Sequence, residues 1–383
     1  MSAAGPGARP SGAATHSFEV RASRRTHVRI GPGVLCDLAA VLGGRRAHLV
    51  ADEHVLELHG ARLADAGLGD PLPLPRGEAA KTWPALGDLL ERLAGRRAER
   101  SHLVVAFGGG ATSDAAGLAA ALYRRGVAWI ACPTTLLGQV DAALGGKTAV
   151  DLPQAKNLVG AFHPPEAVLA DTEVLGTLPA AERRSGLGEV AKYALGVVPD
   201  LFFALEAEDW ALARAARAGE AGALHALIAP CAEAKGRLVA VDEFERGPRE
   251  ALNLGHTLGH AIETAAGHGA VPHGVAVAAG LGFALELAAE MGVLADQGLP
   301  ARAAELARHL GLPGNLAELE RDLGRRLDDR ALLAAIAQDK KTQGGKARFV
   351  LPRALGRLEL GVEVQAARIA ELLARRGRPG PAP

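Results

Sequence analysis

Apolar positions change their rhythm about midway along this chain. In the first half, short unbroken apolar runs stand at HLVVAF (102–107), AWIACP (128–133) and AVLAD (167–171), with a weaker copy at AHLVAD (47–52). Between them lie stretches of helical spacing at 85–98 and 114–125. Runs of this length that do not alternate with polar residues read as strands buried on both faces, the usual state of a parallel sheet with helical crossovers. An α/β domain is therefore expected, with its ligands in the loops that follow the strands. After LGTLPAAER (175–183) the pattern becomes long, Ala- and Leu-rich and amphipathic, through 199–240, 250–266, 274–291 and 298–337. This half predicts a helical domain, with one hairpin near its end at KARFVLPRALGRLEL (346–360). The expected division is a disordered tail over 1–16, an α/β domain over 17–178, a helical domain over 179–375 and a second tail over 376–383.

Composition narrows the function classes. Hydrophobic residues make up 49% of the 383 but aromatics only 3%, so the core must be built from Ala, Leu and Val. Lys+Arg and Asp+Glu both total 43. A formally neutral chain argues against a broad nucleic-acid-binding face, and leaves room for a small basic pocket. Cys36, Cys132 and Cys231 fit neither a disulfide framework nor a zinc knuckle and read as small buried hydrophobes. No apolar run reaches the roughly 18 residues expected of a membrane span. The first seventeen residues, MSAAGPGARPSGAATHS, lack the apolar core of a signal peptide. A cytoplasmic protein with no membrane partner is expected.

Five segments carry candidate chemistry. GGGATSD (108–114) follows a predicted strand. Its glycines would let a phosphate approach the backbone, and a helix from Asp114 would offer its amide end. A plain strand-to-helix turn with Asp114 as N-cap fits equally well. The long segment 133–162, PTTLLGQVDAALGGKTAVDLPQAKNLVGAF, holds Asp141, Lys147, Lys156 and Asn157 in what reads as a loop. Loops this long are commonly functional, and lysines beside glycines suit phosphate. In SGLGEVAKY (185–193), Glu189 and Lys192 share a helical face; taken alone, they read as an intrahelical ion pair. REALNLGHTLGHAIE (249–263) places Arg249, Asn253, His256 and His260 at helical spacing as one polar stripe. With His273 following in VPHGVAVAAG, three histidines within eighteen residues point to a metal centre. Thr257 stands where a zinc peptidase would carry its glutamate, so that chemistry is disfavoured. QDKKTQGGKARFV (338–350) by itself reads as an exposed basic turn.

Taken together and in order, from about Glu78 to Phe349, these motifs resemble the 3-dehydroquinate synthases among the sugar-phosphate cyclases. The resemblance implies a Rossmann-like, mostly parallel NAD-binding α/β domain joined to an all-α metal-binding domain, assembled as a homodimer. It implies zinc, with cobalt as the alternative, on Glu189, His256 and His273. It implies NAD contacts at Glu78, Lys81, Gly110, Asp114, Thr134, Thr135, Lys147, Lys156 and Thr177. A sugar-phosphate substrate would meet Asp141, Lys147, Asn157, Lys192, Lys235, Arg249, Asn253, His260 and Lys340. Within that set, Lys235 and Arg249 would take a carboxylate, and Lys147, Asn253, His260 and Lys340 a phosphate. Arg125 would reach the phosphate site of a neighbouring subunit. The implied reaction converts 3-deoxy-D-arabino-heptulosonate 7-phosphate to 3-dehydroquinate, in the shikimate route to the aromatic amino acids. Its steps are transient oxidation by NAD, phosphate elimination, re-reduction, ring opening and aldol closure. Several residues depart from the family's usual pattern: Ser113, Ala142, Ala143, Asp151, Gly188 and Ala191. None is one of these site residues.

Three rival readings lead to different expectations. Cyclases acting on valiolone- or deoxy-inosose-type substrates lack a substrate carboxylate and would not need Lys235 and Arg249, whereas an amino-dehydroquinate enzyme would keep both. A metal-dependent NAD alcohol dehydrogenase would release NADH and need neither anion clamp. A catalytically silent scaffold would have lost ligands that are all present here.

Overall fold

The unbroken apolar runs of the first half fold as neighbouring parallel strands. The computed structural model of the chain describes residues 14–152, 155–267, 269–338 and 346–376. The chain forms two units, Met1–Pro179 with Leu224–Phe244, and Ala180–Ala223 with Glu245–Pro383.

The first unit is built on β1 (His16–Arg21), β2 (Arg25–Gly31), β3 (Ala47–Asp52), β4 (Leu72–Leu74), β5 (Leu103–Gly108), β6 (Ala128–Pro133) and β9 (Ala167–Asp171). These make a seven-stranded sheet in the order β1-β2-β9-β6-β5-β3-β4. Only the β1–β2 pairing is antiparallel. Every residue of β5 and β9 is buried, as expected of strands covered on both faces. Leu49, Val105, Phe107, Ile130 and Leu169 form the centre of the core, with Leu38 and Leu63 packed on them. Before residue 179 the helices of this unit are α1 (Leu38–Leu42), α2 (Glu53–His59), α3 (Trp83–Gly95) and α4 (Gly110–Leu122). The strand order reverses at β3: β4 lies on one side of it, and β5, β6 and β9 on the other. Ligands of open α/β sheets collect beside such a reversal, at the carboxyl ends of the strands.

Several expectations need correction here. Cys36, expected as a small buried hydrophobe, is exposed, whereas Cys132 and Cys231 are buried. The segment 133–162 is not a long loop. It holds a π-turn (Gly138–Ala142) and an antiparallel hairpin of β7 (Lys147–Leu152) and β8 (Ala155–Phe162). Glycines and lysines at its corners mask a strand pattern that is only partly buried. Helix α4 starts four residues before Asp114, with Gly109 at its N-cap, so Asp114 does not cap it. His16, expected in the tail, opens β1. Arg376, placed in the second tail, is held by Glu320 at 2.9 Å and by Asp329. Residues 1–13 and 377–383, also expected as tails, lie outside the described residues.

The second unit is helical: α5 (Ala180–Gly196), α6 (Pro199–Ala218), α8 (His256–Ala266), α9 (His273–Glu290), α10 (Leu299–Leu310), α11 (Leu316–Leu323), α12 (Asp329–Gln338) and α13 (Ala366–Arg375). The expected hairpin is there, as β10 (Lys346–Ala354) and β11 (Arg357–Gln365). Helix α7 (Ala221–Val241) reads from the sequence as part of the helical half, yet from Leu224 onward it packs with the sheet unit. Helix α9 is the second unit's central element, against α5, α8, α10 and α11. It is also long and apolar enough to cross a membrane, contrary to the expectation that no such run exists, but 72% of that stretch is buried inside the protein. Its composition is that of a core helix made from small residues.

Candidate functional site

In the first unit, candidate groups gather at the carboxyl ends of β5 and β6. These strands lie side by side in register, and the Thr134 amide extends the pairing by donating to the Gly108 carbonyl at 2.9 Å. The Gly108–Gly110 turn and Thr134–Thr135 are thus neighbours. A Cβ on Gly109 would come within 3.1 Å of the Thr135 methyl. The turn opens directly into α4, whose first amides have no intrahelical acceptor and are available to an anion.

Beside this turn, Lys81 is buried at the end of a 3-10 turn, Gly77–Lys81. Its ammonium lies 2.8 Å from Asp114 and 4.0 Å from Asp151, and donates to the Asn157 side-chain oxygen at 2.5 Å. Burial opposes its charge, but Asp114, Glu78 and Asp151 outweigh that and raise its pKa. Burial raises the pKa of Asp114 too, and Lys81 only partly offsets it. Asn157 adopts φ 53°, a left-handed conformation open to Asn, and its amide donates to Asp151 at 2.7 Å. Asp151, one of the departures from the family pattern, therefore anchors the hairpin that carries Asn157. A second pair lies nearby in the chain's order of motifs. Lys235 on α7, 6% exposed, forms an ion pair with Asp141 of the π-turn and donates to its carbonyl at 2.8 Å.

The other residues singled out in this unit are more open. Lys147 begins β7 on an exposed position, Lys156 is half-buried, and Glu78 is exposed. The Thr135 hydroxyl accepts the Gly138 amide at 3.0 Å. Thr177 is near His59, their side chains 2.8 Å apart, in the turn after β9. Arg125 is exposed, at φ 63° in the bend between α4 and β6. Lys340 lies outside the described residues.

The second unit brings together a carboxylate and two imidazoles. Glu189 Oε1 lies 3.6 Å from His256 Nε2 and 3.3 Å from His273 Nε2, and Lys192 pairs with Oε2 one helical turn on. Glu189 is 1% and Lys192 2% exposed. Two close helix contacts make this possible. A Cβ on Gly274 would sit 1.8 Å from the Ser185 carbonyl oxygen, and one on Gly188 would sit 1.9 Å from the Gly274 carbonyl oxygen. Helices α5 and α9 therefore touch backbone to backbone, which sets Glu189 beside His273.

The polar stripe from Arg249 to His260 is not one continuous helix, as the spacing had predicted. Residues Pro248–Asn253 form a 3-10 turn, Gly255 takes φ 78°, and α8 begins at His256. A side chain on Gly255 would be strained at that φ and would press on the Val277 carbonyl of α9 at 2.8 Å. Arg249 is 1% exposed in the turn. Asn253 donates to Glu245 at 2.5 Å. His260 is exposed and its ring lies 5.4 Å from that of His256 and 5.9 Å from that of His273.

Among the described residues, the ligand atoms of Glu189, His256 and His273 lie within 4.8 Å of one another. One carboxylate and two imidazoles are donors that suit a divalent metal ion and would leave coordination positions open. The electrostatics agree. Burial alone would lower the His273 pKa, but Glu189 and Glu263 push it up to about 10, and a field that holds a proton there also favours a divalent cation. Sequence reasoning passed over Glu245 and Glu263. Glu263 had a readable signal: it is i+3 from His260 and i+7 from His256 on α8.

Known proteins align with both units. Residues 71–185 match the family described as 3-dehydroquinate synthase N-terminal, and residues 186–342 the family 3-dehydroquinate synthase C-terminal. The 3-dehydroquinate synthase of Paracoccus denitrificans is 44% identical over 363 residues, 92% of this chain and 96% of that protein. Among solved structures, 2-deoxy-scyllo-inosose synthase complexed with carbaglucose-6-phosphate, NAD+ and Co2+ superposes with a TM-score of 0.80 at 26% identity, over 94% of this chain and 99% of that one. The 2-epi-5-epi-valiolone synthase of Streptomyces hygroscopicus subsp. jinggangensis, with NAD+ and Zn2+ bound, gives 0.79 at 29% identity, over 91% and 96%.

Proposed function

This chain belongs to the 3-dehydroquinate synthase family, and from that premise we propose how its own residues divide the reaction. Its activity is that of a 3-dehydroquinate synthase, a phosphate-eliminating lyase. The substrate is 3-deoxy-D-arabino-heptulosonate 7-phosphate. The observation that carries the residue assignment is the Glu189, His256, His273 cluster, whose donors converge within 4.8 Å.

Glu189, His256 and His273 hold zinc, or cobalt in its place. Gly110, Asp114, Thr134, Thr135, Lys147, Lys156 and Thr177 hold NAD, with Glu78 and Lys81 on its ribose side. The chemistry these groups supply is a hydride acceptor that returns its hydride, and Lewis acidity at a substrate oxygen.

The chain's own side chains orient and charge-balance the substrate. Lys235 and Arg249 take the carboxylate; both are buried cations, which recognise an anion more strongly than exposed ones would. Lys147, Asn253, His260 and Lys340 take the phosphate, whose departure is eased by cations at its oxygens. Asp141 and Asn157 orient the ring. Lys192, held against Glu189, is placed to move a proton beside the metal. Arg125 completes the phosphate site of a second copy in a homodimer, and the enzyme works in the cytoplasm. The residue assignment is tested by measuring zinc per chain and phosphate release in Glu189→Gln and His256→Asn. Loss of both is expected, and full zinc occupancy in either variant would overturn the ligand set.

A further inference from the structure

The two histidines of the cluster are anchored differently at their far nitrogens. Both direct Nε2 toward Glu189, at 3.6 Å from His256 and 3.3 Å from His273. His256 Nδ1 lies 3.2 Å from the Leu254 carbonyl oxygen, a neutral acceptor two residues away. His273 Nδ1 lies 3.0 Å from Glu263 Oε2, an anionic acceptor on another helix. Glu263 is 7% exposed, on α8.

An imidazole that binds a metal through Nε2 must carry its proton on Nδ1, and a partner there sets the tautomer, the ring plane and the strength of the donor nitrogen. A carboxylate does this more strongly than a carbonyl. His273 also needs the help more. Both rings stand at the first position of their helices, but the His273 side chain is 31% exposed against 12% for His256, so fewer neighbours confine it. We propose that Glu263 is a positioning residue for the metal centre: its carboxylate accepts the hydrogen bond of His273 Nδ1–H, fixes the ring toward Glu189 and strengthens His273 as a ligand. This rests on the reading of Glu189, His256 and His273 as the metal ligands.

The test is zinc affinity, measured by competition with a chromophoric chelator on the wild type, Glu263→Ala, Glu263→Gln and His273→Ala. Glu263→Ala should weaken zinc binding about 10–100-fold. Glu263→Gln keeps an oxygen acceptor and should recover part of that loss. The visible spectrum of the cobalt-loaded protein should shift in both Glu263 variants. A purely structural role would instead lower the melting temperature of the metal-free protein and leave affinity and spectrum unchanged; that result overturns the proposal. Glu263, His260 and His273 could themselves take a metal, their ligand atoms also lying within 4.8 Å of one another. If Glu263→Ala removed only a second, weaker zinc equivalent and left the tight one intact, the positioning role would be wrong. His273→Ala separates the two levels of the argument. Unchanged affinity in that variant would remove the ligand set itself, whereas weakened affinity there with unaltered Glu263 variants would remove only the role of Glu263.

Discussion

The two units solve the problem of buried charge in different ways. In the sheet unit, each buried lysine singled out above is matched by carboxylates of the same unit: Lys81 with Asp114, and Lys235 with Asp141. Asp114 and Lys235 stand on helices, but each is paired with a group on a turn, Lys81 and Asp141, and Lys81 also holds the left-handed Asn157 of the β7–β8 hairpin. In the helical unit, two carboxylates, Glu189 and Glu263, converge with two imidazoles and one lysine on three rigid helices. A paired cation can release its partner when an anionic ligand arrives, whereas a cluster of lone-pair donors held by helix backbones is preorganised for a cation. The sheet unit is thus built to exchange partners, and the helical unit to keep one.

The variant expected to have the largest effect attacks the rigidity of the second region. Gly274→Ala puts a methyl 1.8 Å from the Ser185 carbonyl oxygen, so α5 and α9 must part. A destabilisation of about 3 kcal/mol is expected from such overpacking, read from the urea midpoint, together with loss of bound zinc. A variant that kept its zinc would show that the helix contact does not position the ligands. Glu189→Gln comes next. It preserves shape, removes a ligand and leaves Lys192 buried without its anion, and it should destabilise the metal-free protein by about 3 kcal/mol, measured by the same unfolding curve.

The sheet unit should respond more locally. Lys81→Met removes the ammonium that ties Asp114 to Asn157. NAD binding, followed by calorimetry, should weaken while zinc content stays at the wild-type level. Parallel loss of zinc would break the distinction between the two regions. The smallest effect concerns pH. Burial, then the charges of His102, Arg46 and Arg96, lower His48 to about 4 from an ordinary 6.5. Between these values the unfolded chain binds a proton that the folded chain refuses. His48 therefore makes stability fall as pH drops from 6.5 toward 4, and adds no slope above 6.5. His48→Asn should flatten that limb of a melting-temperature profile, with no change at pH 8.

The same contrast governs what could be read from the chain alone. Helical chemistry was legible because its periodicity is local: Glu189 and Lys192 at i, i+3 and His256 and His260 at i, i+4 announce shared faces. The buried parallel strands were legible because β5, β6 and β9 are continuous apolar runs. The β7–β8 hairpin was hidden because its strands are only partly buried and mix polar with apolar residues, with Gly145 and Gly146 before them and Pro153 between them. The break at Gly255 was hidden because a helical stripe looks the same whether or not its middle residue turns left-handed. The β1–β2 hairpin and the return of α7 to the sheet unit depend on long-range packing that no local pattern records. Glu263 shows the remaining gap, since its partner on another helix exists only once α8 and α9 are in place.

The central claim is a redox-neutral cyclisation on this chain. The most direct measurement supplies the purified protein with 3-deoxy-D-arabino-heptulosonate 7-phosphate, zinc and a small fraction of one equivalent of NAD+, then follows phosphate, 3-dehydroquinate and NADH together. Phosphate and 3-dehydroquinate should appear in equal amounts, far beyond the NAD+ supplied, with no net NADH. Phosphate release only from a substrate lacking the carboxylate, or NADH accumulating in step with oxidation of a simple alcohol, would contradict the account.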